Sequence, residues 1–106
     1  MADVVRASHI LLMYKGSARS TATRSKDEAL TQIQAIKAQL DGGADFATLA
    51  RKHSDCPSSA KGGDLGTFGR GQMVDAFEKT TYALAVGATS GVIETPFGYH
   101  VIRRTA

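Results

Sequence analysis

Five side chains in this sequence have the chemistry to act on a bound molecule: His9, Ser54, Asp55, Cys56 and His100. The two imidazoles lie near opposite ends of the chain, and the other three are consecutive. A histidine titrates near neutrality and passes protons, or fixes a neighbour's tautomer. A cysteine offers a nucleophile, a redox centre or a metal ligand. Three chemistries compete for this set. Cys and His without regular ligand spacing make a poor zinc signal. A Cys–His hydrolase needs thiolate, base and oxyanion hole together, and no local nucleophile signature accompanies Cys56. A redox sensor built on Cys56 stays open. The bland alternatives are a buried thiol acting as a small hydrophobe and a buried, hydrogen-bonded histidine.

Cys56 opens a glycine- and serine-rich stretch, Ser54 to Met73, that also carries Leu65, Phe68 and Met73. Loops rarely place three large apolar residues among glycines unless those residues line something. The expectation is a shallow apolar pocket with one thiol at its rim.

The elements around it can be read in order. Val4 to Met13 is expected as a strand, with Val5, Ala7, His9, Leu11 and Met13 on one face. Its other face carries Ile10 and Leu12, so the strand should be central and covered on both sides. Ser25 and Glu28 have capping-box spacing and open a helix to about Leu40, with Ala29, Ile33, Ile36 and Leu40 buried. Asp41-Gly42-Gly43 ends it through a left-handed glycine. Asp45 caps a shorter helix with Phe46, Leu49 and Ala50 inward, ending near His53. Pro57 to Lys61 suits one helical turn. Asp64 to Phe68 is a short strand, with Leu65 and Thr67 opposing Phe68. Val74 to Leu84 is a helix with Phe77 and either Tyr82 or Ala83 inward, broken by Gly87. Gly91 to Thr95 and Tyr99 to Arg104 form a hairpin around Pro96-Phe97-Gly98, with His100 and Ile102 on one face. Four strands and three or four helices in this order predict an α+β fold with a mainly antiparallel sheet.

At 106 residues and 42% apolar content, the expectation is one small domain, 4–106, behind a short tail, 1–3. The lone cysteine excludes an internal disulfide and suits a reducing compartment, so a cytoplasmic location is expected. No apolar run approaches a membrane span, and no signal-peptide pattern opens the chain. The net charge is +3, with Lys15, Arg19, Arg24 and Lys26 gathered between Met13 and Lys26 and no acid among them. That segment is either an anion-attracting loop or an ordinary solvated one. No aromatics interleave with these cations, so nucleic acid is not an expected partner.

Several segments together resemble the parvulin-type peptidyl-prolyl isomerases. They are Arg6-Ala7-Ser8-His9-Ile10-Leu11, Ser54-Asp55-Cys56, Asp64-Leu65-Gly66 through Phe68, Arg70-Gly71-Gln72-Met73, Phe77-Glu78 and Phe97-Gly98-Tyr99-His100-Val101-Ile102. They occur in the family's order and span nearly the whole chain. The resemblance implies a four-stranded antiparallel sheet wrapped by helices. It implies that Leu65, Met73 and Phe77 hold a prolyl ring, with Gln72 and Phe68 beside them. His9 and His100 become paired histidines behind the site, and Cys56 lies near the rotating amide with Ser54, Asp55 and Thr95 around it. It implies no cofactor, no metal and no membrane, a monomer, and proline-containing proteins or peptides as partners.

The phosphorylation-directed subgroup of the family carries a basic cluster after the first strand. Here Arg19 matches one of its positions, Met13 and Ala18 stand at two others, Lys15 is the other anion-binding candidate, and Lys15 or Arg24 can compensate for the missing bases. One arginine makes a weaker anion site than a cluster. The reading is a rotamase that does not need phosphate before proline and that works without a covalent step. The alternative is a non-catalytic proline-peptide-binding or chaperone module using the same groove.

Overall fold

The computed structural model describes residues 4–106; the tail expected at 1–3 lies outside the described residues. Four antiparallel strands form one sheet: β1 (Val4–Leu12), β2 (Asp64–Gly69), β3 (Ile93–Thr95) and β4 (Gly98–Arg104). Their spatial order is β2-β1-β4-β3, so β1 is central and pairs with the last strand of the chain. Three helices, α1 (Lys26–Asp41), α2 (Phe46–His53) and α3 (Asp75–Ala83), surround it, with a 3-10 turn at Pro57–Lys61.

The alternation of β1 separates two apolar layers. Ile10 and Leu12, with Tyr99 and Val101 of β4, pack under α1 and α2 against Ile33, Ile36, Phe46 and Leu49. Val5 and Ala7, with Ile102 of β4 and Phe68 of β2, pack against Phe77 of α3. His9 and His100 lie on this second face. Helix α1 starts as its sequence dictates: Ser25 Oγ accepts from the Glu28 amide, and the Glu28 carboxylate accepts from the Ser25 amide. Asp45 caps α2 by accepting from the amide of Thr48.

The left-handed glycine expected after α1 is Gly43, at φ +99°. Three expectations need correction. Strand β1 ends at Leu12, and β3 begins only at Ile93. Helix α3 starts after Val74 and ends before Leu84, short of Gly87; its buried residues are Phe77 and Thr81, and Ala83 is exposed. Thr81 is buried where a polar residue was not expected because its hydroxyl donates back to the Phe77 carbonyl.

The third correction bears on the pocket. Strict alternation opposed Leu65 to Phe68, yet both pack in the layer around Phe77. The β1–β2 register shifts by one residue between Arg6–Thr67 and Ser8–Asp64. Gly66 sits inside that shift at φ +73°, so a β-bulge resets the faces of the strand. Leu65 is thereby turned to the side of His9.

Candidate active site

The second layer stops short of covering the sheet, and a cavity of about 410 Å³ opens beside the two histidines. Leu65 enters from the β2 bulge, Met73 and Val74 from the loop before α3, and Phe77 from its first turn. Cys56, Pro57, Gln72 and Phe97 also line it. The wall is almost wholly apolar.

Sheet pairing explains why the histidines meet. Leu11 lies opposite His100 and His9 opposite Ile102, so the imidazoles are diagonal neighbours on one face. Their Nδ1 atoms are 3.1 Å apart and their rings nearly parallel. The His100 Nε2 lies 2.7 Å from Thr95 Oγ1, which also accepts from the Phe97 amide. Phe77 stands edge-on to both imidazoles. Burial lowers the His9 pKa to about 4. Burial, then the nearness of His9, lowers that of His100 to about 3. Both rings are therefore neutral at pH 7, and one shared proton lies between the two Nδ1 atoms. Gly63 sets the depth of His9. Its carbonyl accepts from the His9 amide, and a Cβ there would strike the His9 carbonyl.

Ser54-Asp55-Cys56 runs beside the end of β1 almost as a further strand. Ser54 Oγ accepts from the Leu11 amide at 3.0 Å, and the Asp55 amide donates to the Leu11 carbonyl at 2.8 Å. Asp55 Oδ2 accepts from the Met13 amide at 2.9 Å and from Arg24 at 2.5 Å. These contacts deliver Cys56 to the rim. Neither nitrogen of His100 is free for Cys56, since each already has a partner. A cysteine–imidazole couple is thus not assembled through His100.

The expected site residues fall into three groups. His9, His100, Cys56, Leu65, Gln72, Met73 and Phe77 converge on the cavity. Ser54, Asp55 and Thr95 stand one layer back, bonded to the groups that line it. Phe68 does not reach the cavity; it is buried behind Phe77, the rings 6.0 Å apart. Of the two anion candidates, Arg19 lines the cavity and Lys15 lines neither cavity on this face. Leu11, Val74 and Phe97 were not singled out for the pocket. The face Leu11 shares with His9 was the available signal.

A second cavity of about 600 Å³ adjoins the first and shares Met13, Arg19 and Pro57 with it. Thr21, Ala22, Thr23, Arg24 and Asp55 complete its lining. The loop above it is pinned at its base, where Lys15 donates to the Arg24 carbonyl, and near its tip, where Ala18 donates to Pro96. Arg19 adopts φ +58° within that loop. Among the described residues, no three His, Cys, Asp or Glu converge to hold a metal ion. No helix there is long and apolar enough to cross a membrane.

Known proteins resemble this chain in sequence and in fold. The family model of the PPIC-type PPIase domain matches residues 1–106. The peptidyl-prolyl cis-trans isomerase Pin1 of Digitalis lanata is 42% identical over 97% of this chain and 97% of its own. That of Arabidopsis thaliana is 43% identical over 98% of this chain and 97% of its own. The isomerase ESS1 of Candida albicans superposes with a TM-score of 0.92 at 35% identity, over 98% of this chain and 63% of its own. Matched over nearly its whole length by a family model, by relatives and by a solved fold, the chain belongs to the parvulin, or PPIC-type, family of peptidyl-prolyl cis-trans isomerases, which act on proline-containing peptides.

Proposed function

We propose that the protein rotates X–Pro bonds without requiring phosphate on the preceding residue and without covalent attack. The observation that carries this reading is the pairing of Arg24 with Asp55, Nη1 to Oδ2 at 2.5 Å. Lys26 is likewise committed, to Glu94 at 3.0 Å. Arg19 is then the one cation, among the described residues, that lines the two cavities without an ion pair. A single exposed cation confers about a fivefold preference for an anion, far from an obligate requirement.

The physical task is one of rate. Twisting an amide costs about 18–20 kcal/mol because resonance is lost, whereas the two X–Pro isomers differ by only about 0.5–1 kcal/mol. A catalyst must hold the ring and favour the twisted amide over either planar form. Leu65, Met73 and Phe77 are assigned the ring. Twisting localises the lone pair on the prolyl nitrogen, which then accepts a hydrogen bond more readily. Gln72 supports that role: its Oε1 accepts from the Gly69 amide at 2.8 Å, which turns its NH₂ away from the strand. Cys56 is assigned a polar wall position. His9 and His100, with Thr95 behind them, are assigned the neutral floor, and Ser54 and Asp55 the support of the rim. Phe68 supports the pocket from beneath.

In the same reading the chain acts as a single domain and a monomer in a reducing cytoplasm, consistent with its lone cysteine. The test is a proline tetrapeptide series with Leu, Ala, Glu or phosphoserine before proline. Rates for Leu and phosphoserine within about tenfold are expected. A preference for phosphoserine beyond about a hundredfold overturns the reading.

A further inference from the structure

We propose that Glu78 is the positioning residue that holds the Arg70–Met73 wall of the pocket in its ring-gripping position. The inference rests on Met73 forming part of the proline pocket. The chain between β2 and α3 has no regular structure of its own, yet it must present Gln72 and Met73 to one ring. Glu78 sits one turn into α3, next to the pocket residue Phe77, and its side chain is only 13% exposed. Its Oε1 accepts from the Gly71 amide at 2.5 Å. Its Oε2 faces Arg70 at 3.9 Å, and the Arg70 guanidinium lies over the Tyr82 ring at 4.1 Å. One carboxylate on the helix thus fastens the residue immediately before Gln72, while Gln72 closes on Gly69 from the other side.

The fastening is needed because of how α3 begins. Its N-cap is Val74, which supplies no side-chain hydrogen bond to the first turn. Gly71 turns at φ +84°, a conformation that leaves the loop free to swing once its amide is released. Gly71 is itself exposed, so it is the charge-assisted bond to the partly buried Glu78 carboxylate, and not burial of the amide, that ties the turn to the helix. Loosening the loop withdraws Met73 from the ring but leaves the histidines, Cys56 and Leu65 where they are. The loss should therefore appear mainly in KM.

Four variants test this on a Leu-Pro tetrapeptide, with kcat and KM measured separately: Glu78→Ala, Glu78→Gln, Met73→Ala and Lys79→Ala. Glu78→Ala is expected to raise KM about fivefold, the worth of one net hydrogen bond, with a smaller change in kcat. Glu78→Gln keeps an acceptor for Gly71 and should stay within about twofold of the parent. Lys79→Ala, on the exposed neighbour paired with Asp75, should change nothing. Amide exchange of Gly71 in the unaltered protein is a measurement that needs no variant; protection is expected. A Glu78→Ala enzyme with unchanged KM while Met73→Ala is impaired overturns the inference and keeps the pocket. Both unchanged overturns the pocket itself. Equal damage from Ala and Gln, or an unprotected Gly71 amide, also overturns the inference.

Discussion

His9 and His100 face each other through their Nδ1 atoms at 3.1 Å, 91 residues apart in sequence, and neither ring has a carboxylate partner. Two imidazolium ions cannot share that contact, and burial disfavours charging even one of the rings. This gives stability a definite sign with pH. The folded pKa values, about 4 and about 3, lie below the ordinary value of 6.5, so the unfolded chain takes up protons first as pH falls. The histidine contribution is complete above pH 6.5 and is lost progressively below it, down to the folded values. Between pH 7.5 and 5.5 each histidine should cost about 1.4 kcal/mol of unfolding free energy. Urea titrations at the two pH values check this. A His9→Leu/His100→Leu variant should show a flatter dependence over the same range. Equal stability of the parent at both pH values would contradict the neutral pair.

Met73 and Phe77 share the pocket but not the same burden. Phe77 is 3% exposed and belongs to the layer of Phe68, Val5 and Ile102. Phe77→Ala should destabilise the fold by about 3–5 kcal/mol, so its loss of turnover will not report on the pocket alone. Met73 is only partly buried at the edge of that layer. Met73→Ala should leave the thermal midpoint nearly unchanged and lower kcat/KM about tenfold or more, the worth of a missing apolar contact with the ring. Thermal scans beside the tetrapeptide assay separate the two effects.

Why Phe68 was placed beside the ring, when it lies behind Phe77, is physical. Local rules acted where the determining partner lay within a few residues. The capping box of Ser25 and Glu28, the Asp45 cap and the two-faced β1 were all legible for that reason. Phe68 depended on the bulge at Gly66, which exists only because β2 pairs with β1 out of simple register. Arg24 and Asp55, 31 residues apart, gave no local sign of meeting. The histidine pair was legible as a possibility, because first and last strands often neighbour in a small sheet. Its distance and its link to Thr95 required the register itself.

The Arg24–Asp55 pair makes substrate preference adjustable. Asp55→Asn retains an oxygen to accept from the Met13 amide but removes the charge that neutralises Arg24. Arg24 still donates to the Met13 carbonyl at 2.8 Å, so its guanidinium should remain in the second cavity, now as a free cation. The ratio of kcat/KM for phosphoserine-Pro over Leu-Pro peptides should rise about fivefold in Asp55→Asn and fall by a similar factor in Arg19→Ala. An unchanged ratio in both variants would show that neither cavity reads the charge before proline.

Cys56 separates covalent from non-covalent rotation. A nucleophilic thiol needs a base in contact; both nitrogens of His100 are already engaged, one by His9 and one by Thr95, which leaves His9 Nε2 as the imidazole nitrogen of the pair without a hydrogen-bond partner. The Cys56 segment is held by its backbone: its amide approaches Ser54 Oγ at 3.4 Å, and its carbonyl accepts from Ser59 at 2.9 Å. Serine at position 56 keeps that backbone and a polar group of similar size, while its hydroxyl is a far poorer nucleophile. If rotation needs only a polar wall there, Cys56→Ser should retain kcat/KM within about tenfold. If the thiol forms a bond to the substrate carbonyl, the loss should approach the factor of about 10⁴ or more seen when a nucleophile is removed. The same tetrapeptide assay distinguishes these outcomes, and intact-mass spectra of the enzyme mixed with substrate should show no adduct at Cys56.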